Sequence, residues 1–140
     1  MSEANEAATR LMMELFSAGG DLSRVAEVIS NNAIDHQGIP GVDTTGVEGF
    51  KRVVAVYQGA FPDLKAELIS MASKGDITFA HFHMTGTNTG AFMGMPATGK
   101  SVDIEGVDIM RFENGLAVEH WGYVEEMKMM QQLGLMPAQG

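Results

Sequence analysis

The chain has 140 residues, no cysteine, and 18 acidic against 9 basic residues, for a formal net charge of −9. That length suits one domain, 1–140, with enough core to fold without disulfides, and a cysteine-free chain suits a reducing, cytoplasmic location. The acidity excludes a nucleic-acid partner and argues against a membrane surface, and neither a signal peptide nor a bilayer-spanning apolar run is present.

Ala8, Leu11, Met12, Leu15 and Phe16 recur at helical spacing, and Gly19-Gly20 ends this first helix. Asp21 can cap a second helix with Leu22, Val25, Ala26 and Ile29 on one face. Ile34-Asp35-His36-Gln37-Gly38 then reads as a short connection into a loop with Pro40 and Gly41. Thr45 and Glu48 have capping-box spacing for a third helix. Its apolar face is Phe50, Val53, Val54 and Tyr57, with Phe61 past the end and Pro62 as the stop.

Beyond Pro62 the period changes from helical to alternating. Residues 64–71, 77–87, 102–112 and 116–124 read as strands, with Lys74-Gly75-Asp76 a turn. Residues 85–100, rich in Gly and Thr, read as a loop or a widened hairpin. Glu113-Asn114-Gly115 suits a type I turn with a glycine bulge. Residues 125–133 form a short last helix, opened by Glu125 and Glu126 and ended by Gly134 and Pro137. Helices followed by antiparallel strands are an α+β order. The expected architecture is a cone, a curved antiparallel sheet packed on N-terminal helices around an apolar cavity. Twelve methionines suit an adaptable interior.

Gly94 to Ser101 matches the phosphate-loop pattern G-x-x-x-x-G-K-[ST]. Such a loop must feed a helix whose N-terminus faces the anion. Here Lys100-Ser101 runs into Val102-Asp103-Ile104-Glu105, which alternates like a strand and carries two acidic side chains. The motif reads as a glycine-rich turn, and no nucleotide is expected.

Acid–base chemistry is placed by the last hairpin. A three-residue bulged turn pairs Phe112 with Leu116, Met110 with Val118, and Asp108 with His120. Asp108 and His120 then share an otherwise apolar face, touching directly or through one water, and Gly122 leaves open space beside them. A two-residue turn would set Asp108 against Trp121 instead. His36 lies where the chain would enter the cavity mouth and is a candidate partner. His81 and His83 share one strand face and could be half a metal site, completed by His36 or Asp108. No carboxylate lies at ligand spacing nearby, so no metal is expected. The sequence has neither a Gly-x-Ser-x-Gly elbow nor a thiol nucleophile.

The run Gly86 to Lys100 resembles the loop of SnoaL-like ester cyclases, a polyketide cyclase family. Gly106 to Gly115 running on to Glu119-His120-Trp121 resembles it too, as do Gln131-Gln132-Leu133-Gly134 and Gly49-Phe50 through Phe61-Pro62-Asp63. The resemblance implies the nuclear-transport-factor-two-like cone, usually as a homodimer. It implies ring closure by intramolecular aldol condensation, without metal or cofactor. It also implies an Asp general acid–base beside the Trp of the last long strand; that neighbour here is Gly122. Glu125 stands where a further Asp often follows, and Asn88 where relatives often have His.

The expected function is therefore a cofactor-free enzyme acting on a hydrophobic carbonyl compound, of the aldol-cyclase or isomerase type. Asp108 and His120 would move the proton, with His36 as a partner. Phe50, Tyr57, Phe82, Phe92, Met93 and Met110 would supply apolar walls. The rival is a non-catalytic binding or carrier protein for a small apolar ligand, towards which Gly122 leans. Trp121 and Tyr123, projecting from the outer sheet face, point to a homodimer.

Overall fold

A computed structural model describes residues 2–136; Pro137, expected just beyond the last helix, lies outside the described residues. Helix α1 (Ser2–Phe16) buries Ala8, Met12, Met13 and Leu15 and packs on the inner face of the sheet. Its one deeply buried hydroxyl, Thr9, donates to Asn5 O at 2.9 Å and accepts from Thr78 at 3.0 Å. Both polar groups are thereby satisfied within the core.

The second expected helix is replaced by two other elements. Asp21 does cap, accepting from Ser23 N at 3.1 Å and Ser23 Oγ at 2.6 Å, but only a 3-10 turn follows, Leu22–Glu27. Ala26 is exposed, and Ile29 opens strand β1 (Ile29–Asp35). The expected connection at Ile34 and Asp35 is thus strand. Its cause is tertiary. Strand β5 (Leu116–Val124) offers an open edge, and β1 pairs with it in parallel, setting Asp35 beside His120. Ala117 N donates to Val28 O, and His36 N to His120 O, both at 2.8 Å. Those backbone bonds outweigh the weak helical spacing of Val25 and Ile29.

Helix α2 (Gly46–Ala60) ends before Phe61 and Pro62, as expected. The Thr45–Glu48 capping box does not form, because the Thr45 side chain makes no cap bond. Asp43 Oδ1 instead accepts from Thr45 N at 3.0 Å, turning the chain into the helix.

Strands β2 (Lys65–Lys74), β3 (Ile77–Thr87) and β4 (Ser101–Glu113) complete a sheet of order β1-β5-β4-β3-β2. Strands β2 to β5 are antiparallel, while β1 makes the sheet mixed rather than wholly antiparallel. Bulges at Leu68/Ser70 and Arg111/Phe112 bend the strands. The curved, unclosed sheet packs against the helices, so the α+β expectation holds. Strand β4 begins at Ser101, so Lys100 precedes a strand and the phosphate-loop context is absent. Helix α3 (Glu126–Gln132) docks on β4: Asp103 N donates to Gln132 Oε1 at 2.8 Å, and Gln132 Nε2 returns a bond to Asp103 O at 2.9 Å.

Two apolar clusters form the interior. One gathers Phe61, Leu64, Phe82, Met84, Ile104 and Leu133, and the other Met12, Leu15, Val25, Ile29, Met110 and Phe112. A concavity of about 140 Å³ draws its walls from both. Among the described residues no helix is long and apolar enough to cross a membrane.

Candidate active site

The β4–β5 hairpin sets the site. Asn114 and Gly115 both have positive φ, 51° and 82°, so the turn has two residues of the I′ kind rather than three. Glu113 pairs with Leu116 and Phe112 with Ala117. Val118 is then an extra residue on β5, and beyond it Met110 pairs with His120 and Asp108 with Gly122. The expected direct pairs are therefore corrected: Phe112 moves by one residue, from Leu116 to Ala117, while Met110 moves by two, from Val118 to His120, and Asp108 by two, from His120 to Gly122. A two-residue turn alone would have turned His120 to the other face. The bulge restores the parity, so Asp108 and His120 still share the concave face as diagonal neighbours.

The diagonal is short enough for direct contact. His120 Nε2 lies 2.8 Å from Asp108 Oδ1. The other ring nitrogen, Nδ1, lies 2.9 Å from Asp35 Oδ1. Asp35 arrives from β1 through the parallel pairing. A ring with a carboxyl oxygen at each nitrogen donates from both, and so is an imidazolium. Burial by itself favours the neutral ring. The hydrogen bonds to Asp108 and Asp35 outweigh it and push the His120 pKa up to about 10. Asp35 shows the converse balance: burial would raise its pKa, but the His120 hydrogen bond and charge hold it below the ordinary value. All three side chains remain partly open to the concavity.

Phe50, Tyr57, Phe82 and Met110 line the concavity beside Met12 and Met84. Burial raises the Tyr57 pKa, and the charges of Glu126, Asp35 and Asp108 add to the rise, so its hydroxyl stays protonated. Phe92 and Met93 do not line the concavity. Phe92, 3% exposed, packs its ring on Tyr57 and Phe61 behind the wall, with centroids 5.4 and 5.5 Å apart. Met93, 47% exposed, projects from the loop after β3.

His36 is also misplaced by the sequence argument. One residue beyond Asp35, it points to the opposite side of the sheet, stacks on Trp121 at 4.7 Å and bonds to Glu119 Oε2 at 2.8 Å. Alternation along an extended chain makes Asp35 and His36 exclusive occupants of the two faces. His81 and His83 lie on the outer face too. Glu105 and Asp103 of β4 hydrogen-bond to them, so carboxylates do lie beside both, contrary to expectation. Asp108 faces the other way and two strands separate His36 from β3, so neither completes a cluster with them. Among the described residues no group of three or more His, Asp or Glu side chains could hold a metal ion.

Asp35 and Gln37 are the site residues that sequence reasoning passed over. Ala33 and Asp35 share the inward parity of β1, but the exposed Asn31 breaks the alternation, so only the parallel pairing with β5 identifies Asp35. The space over Gly122 is not open: a Cβ there would lie 2.1 Å from Gln37 Oε1. Gln37 lines the concavity.

A curved, unclosed sheet packed against helices is the nuclear-transport-factor-two-like architecture. The chain belongs to the SnoaL-like polyketide cyclase family, whose profile matches residues 6–133. IdmH from Streptomyces antibioticus, a candidate polyketide cyclase, is 28% identical with a TM-score of 0.79; the match covers 93% of this chain and 98% of IdmH. AclR from Streptomyces galilaeus, a candidate hydroxylase, is 26% identical with a TM-score of 0.82, covering 100% of this chain and 86% of AclR. A candidate SnoaL-like cyclase from Jannaschia sp. CCS1 shares the fold at 22% identity and a TM-score of 0.82, covering 96% and 94%. No curated protein matches the chain.

Proposed function

We propose that this protein catalyses a proton-transfer reaction on a neutral, hydrophobic, carbonyl-bearing small molecule, of the aldol-cyclase or isomerase type. The observation that carries the reading is the contact of His120 Nε2 with Asp108 Oδ1 at the polar end of an apolar concavity. Family membership, and the likeness to IdmH, a candidate polyketide cyclase, and AclR, a candidate hydroxylase, support small-molecule chemistry.

Among the described residues Asp108 makes a hydrogen bond only through Oδ1, which leaves the second oxygen for substrate. In ring closure, that oxygen removes the proton next to a carbonyl and leaves an enolate. The enolate carbon bonds to a second carbonyl carbon of the same molecule, and the alkoxide so formed takes the proton back from Asp108. In isomerisation the proton returns to a different carbon. Either cycle is balanced in protons and electrons. His120 holds Asp108 in one orientation, and Asp35 holds His120, so both are positioning residues. The protonated Tyr57 hydroxyl is available as a donor to the developing oxyanion.

Exchange of the α-protons of 2-tetralone in D2O, followed by NMR, tests the reading. The protein should accelerate exchange over buffer, and Asp108→Asn should reduce that acceleration about 10²-fold or more. A specific observation favours the carrier alternative: both His120 nitrogens are spent on carboxyl groups, which leaves the ring no proton of its own to give. Binding of 2-tetralone without exchange would establish that alternative. We further propose a homodimer formed through the outer sheet face, and the cytoplasm as the compartment of a cysteine-free chain.

A further inference from the structure

Gln37 belongs to the site but not to its acid–base cluster. Its backbone N–H donates to Asp35 Oδ1 at 3.0 Å, and the same oxygen takes the His120 Nδ1 hydrogen bond. Asp35 therefore fixes both the imidazole ring and the start of the loop that follows β1. Gly38, with a φ of 64°, lets the chain turn away at once. The Gln37 side chain then lies across β5 at Gly122.

Contact there is close. A Cβ on Gly122 would be 2.1 Å from Gln37 Oε1, 2.7 Å from its Cδ and 3.1 Å from His120 Cε1. Only a glycine leaves room for the carboxamide beside the ring. Among the described residues neither Oε1 nor Nε2 of Gln37 has a hydrogen-bond partner. Among the described residues the concavity has no lysine or arginine in its walls, and its one cation, the His120 imidazolium, is already shared by Asp35 and Asp108, so an anionic ligand would meet a net negative site. A carboxamide offers one acceptor and two donor hydrogens, which suits a neutral carbonyl or hydroxyl group.

We infer that Gln37 is a specificity-determining residue: its carboxamide, seated over Gly122, hydrogen-bonds the neutral carbonyl or hydroxyl of an apolar ligand and selects it over a carboxylate. The inference rests on the proposed function in one respect, that the concavity takes a small apolar molecule. It does not depend on turnover.

Equilibrium dialysis with three probes of one shape tests it: naphthalene, 2-acetylnaphthalene and 2-naphthoate. The protein should bind the ketone more tightly than the hydrocarbon, and the carboxylate most weakly. Gln37→Ala should weaken ketone binding about two- to tenfold, the worth of one neutral hydrogen bond, while naphthalene binding changes less than about twofold and reports an intact fold. Gly122→Ala should displace the carboxamide and cause the same loss. The double variant should lose no more than either single one, because both changes remove one group from one place. Tightest binding of 2-naphthoate, or an unchanged ketone preference in Gln37→Ala, would overturn the inference and leave the proposed function standing. Failure of the protein to bind any of the probes would overturn both.

Discussion

His120 is a histidine that does not behave as a switch near neutral pH. Two carboxyl groups outweigh burial and keep its proton on, with a pKa of about 10. We predict that its ring protons, followed by NMR, titrate near pH 10, and that Asp35→Asn moves the midpoint down towards the ordinary value of about 6.5. A wild-type midpoint near 6.5 would show that the clamp is not formed. Because the folded pKa lies above the unfolded one, the stabilisation from His120 is complete below about pH 6.5 and is lost as pH rises through about 10. Asp35 runs the other way. Its folded pKa is depressed, so its contribution is complete above the ordinary carboxyl range and is lost as pH falls through the folded value. Urea midpoints should therefore be highest between about pH 5 and 6.5, with the alkaline decline smaller and complete at a lower pH in Asp35→Asn. Asp108 and His120 were placed on one face by expecting a three-residue turn; the structure reaches that face by a two-residue turn at Asn114-Gly115 plus a bulge at Val118, which nothing in the sequence marks. Asp35 was not legible, since its partner is 85 residues away and nothing local marks a strand that pairs in parallel. Gln37 escaped notice for the same reason: the glycine it covers sits on a strand reached only through that pairing.

Among the connecting elements, the loop after β3 is held by one side chain. Asn88 is buried, and its Oδ1 accepts from Thr98 N at 2.8 Å and Thr98 Oγ1 at 3.0 Å. Its Nδ2 donates to Gly90 O at 2.9 Å and Ala60 O at 3.3 Å. The loop so gathered packs Phe92 behind Tyr57, which steadies one wall of the concavity. Asn88→Ala should lower stability by about 2 to 3 kcal/mol, the cost of leaving buried partners unpaired, as measured by urea unfolding. Asn88→Asp should do no better, because an ionised carboxylate cannot donate to Gly90 and Ala60. An alanine variant within about 0.5 kcal/mol of wild type, the range of an ordinary surface change, would show that the loop is held by other contacts. The regular elements around this loop were readable from periodicity, since β3 and the first half of β4 alternate between a buried and a more open face. The loop itself, with Gly and Thr in no period, announced only that regular structure stops. Strand β1 was lost to a helical reading because Leu22, Val25 and Ile29 happen to fall at helical spacing, while Asn31 and Asn32 on its exposed stretch break the alternation that would have marked a strand.

At the scale of the whole molecule, the outer face of the sheet is the surface that water covers poorly. Register places Phe79, Ile109 and Trp121 side by side across three strands. The next row is His81, Val107 and Tyr123. Tyr123 is 63% exposed and Phe79 40%. Charged groups flank these rows at both ends: Arg111 with Glu113 and Glu119 on one side, His83 with Asp103 on the other. An apolar centre rich in aromatic residues with a polar rim is the anatomy of a protein interface, and a contiguous apolar patch of this kind is uncommon on a monomer. The proposed homodimer would cover this face with a second copy of itself through a two-fold axis. The concave side, with Asp35, Asp108 and His120, is then left free for ligand. Light scattering should accordingly give the mass of a dimer at micromolar concentration. A charge placed at the centre of the patch, as in Phe79→Asp, should shift the protein to monomer, because an unpaired carboxylate would be buried on association. Naphthalene binding in the concavity should survive that change, since Phe79 faces away from it. A wild-type monomer across the micromolar range, or a Phe79→Asp protein that remains dimeric, would assign this face another role.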